Sequence, residues 1–123
     1  MPNAVLIVIV EDDISVRESL PDLLEEFGYA ALTFASAEEF LASDAIRVAS
    51  CLILDIGLPG MSGPDLHREL MGRGFSIPTI FITAHAPDRI PPDLLEAGGI
   101  ACLIKPLGEQ ELRAALDLAL QKS

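Results

Sequence analysis

The sequence predicts an α/β fold, a doubly wound (βα)5 parallel sheet with helices on both faces. Three observations carry this. Apolar runs of strand length alternate with segments whose apolar residues recur at helical spacing. The strand-like runs are continuous rather than alternating, the mark of strands covered on both faces. The cycle occurs five times, with no linker, solenoid repeat or low-complexity segment between units.

The elements follow in order. Residues 4–10 (AVLIVIV) form the first strand. Residues 14–27 carry Val16, Leu20, Leu23, Leu24 and Phe27 on one helical stripe, and Gly28 stands where a helix C-cap belongs. Pro21 lies inside that stripe, where it removes a backbone bond at a cost of about 3 kcal/mol. A bend is expected there. "YAALTF" (29–34) is the second strand. Ser36 with Glu39 three residues on is a capping box that opens "AEEFLAS" as a helix. "CLILDI" (51–56) is the third strand, and residues 63–72 a short helix charged on one side, with His67 expected at its surface. "PTIFIT" (78–83) is the fourth strand, residues 92–97 a short helix, "IACLI" (100–104) the fifth strand. Residues 109–121 close the chain with Leu112, Leu116, Ala119 and Leu120 on one stripe.

A chain of 123 residues, half of them hydrophobic, builds a proper core without covalent staples. Residues 1–123 are expected to be a single domain. A formal charge of −11 repels phosphate backbones, so nucleic-acid binding by this chain alone is not expected. A divalent cation or a basic partner patch suits it better. Cys51 and Cys102 both sit in apolar runs and read as buried, reduced thiols. "AVLIVIV" is too short for a membrane span, and no signal peptide is visible, so the expected setting is soluble and cytoplasmic.

Function in a parallel sheet gathers at the strand C-termini. The first strand ends at Glu11-Asp12-Asp13, the third at Asp55, the fourth at Thr83-Ala84-His85 and the fifth at Lys105-Pro106. Asp13 directly precedes a helical stripe and is the natural N-cap, leaving Glu11 and Asp12 to the strand end. In a sheet ordered 2-1-3-4-5, strands one, three and four would be adjacent, and carboxylates, a hydroxyl and an ammonium would surround Asp55. Like charges at about 4 Å repel by about 4 kcal/mol at an effective dielectric of about 20. Such a cluster raises a carboxylate pKa or recruits a cation. An oxygen-only donor set favours Mg2+ over zinc.

Taken in order, "VEDD" (10–13), "LDIGLPGMSG" (54–63), "ITA" (82–84) and "KP" (105–106) make the chain resemble the receiver domain of two-component response regulators over essentially its whole length. "VRESL", "ASAEEFL", "MSGPDL" and "IPTIFITAH" are most similar to the FixJ-type subgroup. The resemblance implies a flavodoxin-like sheet in the order 2-1-3-4-5. It also implies that Asp55 accepts a phosphoryl group from a histidine kinase or phosphotransfer protein. Glu11, Asp12, Asp55 and the backbone carbonyl of Gly57 would hold Mg2+. Lys105 would pair with the phosphoryl group, and Thr83, with the amide of Ala84, would bind it. Pro106 would follow a cis peptide bond that orients Lys105 inward. Each role is chemically sound: an aspartate is a competent phosphoryl acceptor once positive charge offsets its own.

Three departures from the family pattern stand out. Cys102 occupies the position, three before the lysine, where the family commonly has an aromatic ring that swings inward on activation. A thiol cannot report by ring rotation, so coupling is expected to run through backbone shifts after the fourth strand. Pro91-Pro92 predicts a short or displaced fourth helix. Gly57 and His85 occupy the positions that tune self-dephosphorylation in the family, and His85 brings an imidazole that titrates near neutrality.

Partners implied are the kinase and, through the face made by the fourth helix, fifth strand and fifth helix, a second copy or an output domain. An aspartyl-phosphate phosphatase of the haloacid dehalogenase type needs its nucleophile on the first strand in a D-x-D pattern, whereas "DIG" follows from Asp55 on the third. A dinucleotide domain needs a glycine-rich first turn, and "VEDDIS" supplies acids. The remaining alternative is a degenerate receiver acting as a phosphorylation-independent interaction module.

Overall fold

Alternation along each strand turns a single apolar run into two cores. In a computed structural model, which describes residues 5–84 and 99–121, the strands are β1 (Leu6–Val10), β2 (Ala30–Phe34), β3 (Cys51–Asp55), β4 (Thr79–Thr83) and β5 (Gly99–Ile104). All pair in parallel, in the order β2-β1-β3-β4-β5, the flavodoxin-like arrangement. Val8, Val10, Leu52, Leu54 and Phe81 point to one face, and Ile7, Ile9, Ile53, Ile80 and Ile82 to the other. Period-two geometry requires this split.

The helices α1 (Ile14–Glu26), α2 (Ala37–Leu41), α3 (Gly63–Gly72) and α4 (Glu109–Leu120) cover the two faces. α2 and α3 close the first with Phe40, Leu66 and Leu70, and α1 and α4 close the second with Leu20, Leu24, Leu112 and Leu116. A short 3-10 turn, Asp44–Arg47, follows α2 and was not evident in the hydrophobic pattern.

Local signals act where expected. The Asp13 side chain accepts from the Ser15 amide at 2.9 Å and caps α1. At the other end Gly28, at φ +96, lets its own amide and that of Tyr29 donate back to Glu25 and Leu24, satisfying the last carbonyls. Ser36 accepts from the Glu39 amide, while the Glu39 carboxylate accepts from the Ala35 amide, one residue earlier than the expected capping box. α1 runs unbroken through Pro21, which has no N–H to give the Arg17 carbonyl.

Two expectations need correcting. His67 is not at the surface: it is 3% exposed, its ring edge-on to Phe81 at 5.7 Å. The cause is helical phase, since Gly63, Leu66, His67 and Leu70 share the inward face of α3. Cys51 is buried but Cys102 only half-buried, because β5 is an edge strand with one neighbour among the described residues. Both thiols are free, and burial pushes Cys51 up to about 12 and raises Cys102 as well, so neither carries the low pKa of a reactive thiol. The expected helix at 92–97, with Pro91-Pro92, lies outside the described residues.

Candidate functional site

The sheet ladder continues one residue past three strand ends and so fixes where the polar side chains begin. The Glu11 amide donates to Phe34 at 3.0 Å, the Ile56 amide to Ile82 at 2.9 Å and the Lys105 amide to Thr83 at 2.8 Å. Parallel register then brings the ends of β1, β3, β4 and β5 to one edge. Glu11, Asp12 and Asp55 each place a carboxylate oxygen within 4.8 Å of the others. Lys105 Nζ lies 2.7 Å from Glu11 Oε1 and 3.6 Å from Asp55 Oδ2. Glu11, Asp55 and Thr83 are buried, whereas Asp12 and Ala84 are exposed.

The electrostatics follow from that packing. Burial is the largest influence on Glu11 and, with Asp55 beside it, holds the carboxyl up to about 7 against the opposing pull of Lys105 and the Asp13 amide. Apart from the Lys105 ion pair, the buried Oε1 of Glu11 has no hydrogen bond among the described residues. Burial works to lower the Lys105 pKa, but Glu11 and Asp55 outweigh it and the ammonium is held more tightly than usual. The site thus holds more negative than positive charge, with a buried carboxylate oxygen short of partners. Three hard oxygen donors with solvent on the Asp12 side suit Mg2+.

The loop after β3 is arranged around the acceptor candidate. The Gly57 amide donates to Asp55 Oδ1 at 3.3 Å. Gly63 packs directly on the Asp55 carbonyl, and a Cβ there would collide with that oxygen. The Lys105–Pro106 peptide bond is cis. An apolar groove of about 460 Å3 opens beside Lys105, between Val16, Leu20 and Leu23 of α1 and the segment Pro106-Leu107. His85 lies outside the described residues.

Two side chains at the site's margin had no signal in the sequence. Arg17 Nη1 reaches back 2.8 Å to the Glu11 carbonyl, and Glu38 Oε2 accepts from the Met61 amide at 3.1 Å. Both are charged helix residues, Arg17 half-buried and Glu38 exposed, and periodicity says nothing about where such long side chains land.

Comparison with known proteins gives the family. The model of the response regulator receiver domain matches residues 7–117. The chain belongs to the response regulator receiver family. Among its relatives, Nodulation protein W of Bradyrhizobium diazoefficiens is 40% identical over 95% of this chain and 52% of its own length. The response regulator protein TodT of Pseudomonas putida is 39% identical over 98% of the chain and 55% of its own length. The transcriptional regulatory protein FixJ of Azorhizobium caulinodans is 32% identical over 100% and 58%. The chain therefore spans about half the length of these curated relatives. Of solved structures, FixJ-N superposes with a TM-score of 0.86 at 30% identity, covering 100% of this chain and 98% of that one. The response regulator StyR superposes with a TM-score of 0.89 at 39% identity, covering 97% and 60%. This receiver is thus a signalling domain of two-component type, and no helix among its described residues is long and apolar enough to cross a membrane.

Proposed function

We propose that this receiver is a phosphorylation switch with Asp55 as acceptor, loaded by a histidine kinase or phosphotransfer protein in the cytoplasm. One observation carries the proposal: Asp55 sits within carboxylate reach of Glu11 and Asp12 and 3.6 Å from the Lys105 ammonium, on the edge where all the strands end. Residues 1–123 would act as one receiver unit, consistent with a sheet that takes in every strand of the described residues.

The step itself is simple. A carboxylate oxygen of Asp55 attacks the phosphorus of a phosphohistidine in line; the P–O bond forms as the P–N bond breaks, and the imidazole leaves with a proton from solvent. Glu11, Asp12, Asp55 and the Gly57 carbonyl would hold Mg2+, which when bound supplies positive charge to offset that of the phosphoryl group. Lys105 turns from Glu11 and Asp55 toward the phosphoryl oxygens, and the Thr83 hydroxyl and Ala84 amide donate to the same group. Gly57 and His85 govern how water reaches the acyl phosphate. The apolar groove beside Lys105 gives a donor protein a surface to approach. Output runs to a second copy or an effector domain, with Cys102 and Pro106 at the reporting side and coupling carried by backbone shifts after β4. The domain is a signalling switch whose chemistry is limited to Mg2+-dependent self-phosphorylation and slow self-dephosphorylation, and its formal charge of −11 disfavours nucleic-acid binding by this chain alone.

Incubation with Mg2+ and acetyl phosphate tests the proposal by intact mass. One phosphoryl group should add to the wild type and none to Asp55→Asn. No addition to the wild type would replace this reading by that of a phosphorylation-independent interaction module.

A further inference from the structure

The stretch between Asp55 and α3, Ile56-Gly57-Leu58-Pro59-Gly60-Met61-Ser62, contains no charged residue. It must leave the sheet edge, present the Gly57 carbonyl and enter α3, so its shape depends on anchors. Leu58 supplies one by burial in the core, and Ser62 another by accepting from the Asp65 amide at the start of α3. Gly57 is tied to the Asp55 side chain. Pro59 and Gly60 are exposed and Met61 is half-buried against the core; this far part of the loop has one polar anchor from another element among the described residues, the Glu38 carboxylate of α2.

Glu38 is suited to this task. Its helix is fixed to the sheet by Ala37 and Phe40, both fully buried, so the carboxylate extends from a firm base. The neighbouring Glu39 caps its own helix through the Ala35 amide and does not share the work. Gly60 meets Glu38 with a matching shape. Its φ of +72 is a conformation that L side chains rarely adopt, and a Cβ there would lie 3.0 Å from Glu38 Oε2. The turn at Gly60 thus delivers the Met61 amide to the carboxylate at 3.1 Å, across 23 positions of sequence.

We infer that Glu38 is a positioning residue for the phosphorylation site, holding the far half of the acceptor loop so that the Gly57 carbonyl and Asp55 keep their mutual geometry. The inference rests on the proposed Mg2+-dependent acceptor role. It assigns Glu38 no contact with metal or phosphoryl group; the bond to the loop backbone is what matters, and the charge is secondary.

Calorimetric Mg2+ titration of the whole chain as wild type, Glu38→Ala and Glu38→Gln tests it, alongside hydrogen exchange at the Met61 amide and a thermal melt of each. Glu38→Ala should weaken Mg2+ binding about three- to tenfold, the equivalent of one net hydrogen bond, and lose protection at Met61. Glu38→Gln keeps an acceptor oxygen and should restore both to within about twofold. The melts should stay close together, because the bond is exposed. Unchanged Mg2+ affinity in Glu38→Ala overturns the inference. So does a Gln variant as weak as the Ala variant, which would point to charge alone. Absence of Mg2+ binding in the wild type overturns the acceptor reading on which the inference depends, a failure distinct from either.

Discussion

Replacing Gly63 with alanine puts one methyl group where the acceptor strand meets α3. The new Cβ would collide with the Asp55 carbonyl oxygen and press on the Ile56 backbone at 3.3 Å. Neither is the end of a flexible side chain, so relief requires α3 or the strand end to shift. Overpacking of this kind costs about 1–3 kcal/mol. Alanine recovers part of it, since it is favoured over glycine in helix interiors by about 1 kcal/mol and by less at a first helical position. A net loss of about 1–2 kcal/mol is expected. For 123 residues the unfolding entropy near the midpoint is about 260 cal/mol/K, so the loss lowers Tm by about 4–8 °C. Gly57→Ala is the matched control. A Cβ at Gly57 meets nothing within 4 Å, and its φ is not in the left-handed region. That variant should melt within about 2 °C of the wild type, since substitutions clear of packing stay within about 0.5 kcal/mol. The assay is far-UV circular dichroism on heating, without Mg2+, with urea titration as a second measure. A Gly63→Ala protein that melts with the wild type would refute the reasoning, because it would mean that the α3 entrance does not constrain Asp55.

Other outcomes follow from the same geometry. His67 is almost fully buried, and burial, aided by Arg68, holds its pKa below 6.5. The unfolded chain then takes up the proton first as pH falls, so this contribution to stability is complete above about 6.5 and lost below it. The urea midpoint of the wild type should fall relative to that of His67→Leu as pH drops from 7.5 toward 5, on the scale of this shift; a constant difference would contradict it. The comparison must be made against the variant, because Glu11, held up to about 7, contributes the opposite slope. Mg2+ at about 100 times its Kd should stabilise the domain by about 2.7 kcal/mol, or about 10 °C in Tm, and Asp12→Asn should abolish the gain. An equal gain in that variant would remove Asp12 from the metal site. Cys102→Phe should leave phosphorylation-dependent self-association, followed by analytical ultracentrifugation, essentially unchanged if coupling runs through the β4 backbone; a large rise would show that the missing ring matters.

The boundary between what was legible early and what was not follows the range of the forces involved. Periodicity, caps and glycines are local signals. They marked the five strands to within a residue or two, Asp13 and Ser36 as caps, and Gly28 as a helix end, because each depends on neighbours a few positions away. Strand ends in a parallel sheet must share an edge, so the sequence alone makes Glu11, Asp12, Asp55, Thr83 and Lys105 candidates for one site. The strand order came from family resemblance, since apolar runs of equal length do not say which neighbour they choose.

By itself, then, the sequence determined the α/β class, the family and the chemical types gathered at the sheet edge. Tertiary structure alone decided the rest. Helical phase relative to the sheet, which a charged neighbourhood disguises, put His67 inside against Phe81. Burial raised the Glu11 carboxyl and left Asp12 in solvent, although the two are adjacent in the chain. Close packing gave Gly63 its place on the Asp55 carbonyl, and the reach of a long side chain carried Glu38 to an amide 23 residues away. These are contacts between segments remote in sequence. Their existence depends on distances that only the folded chain defines.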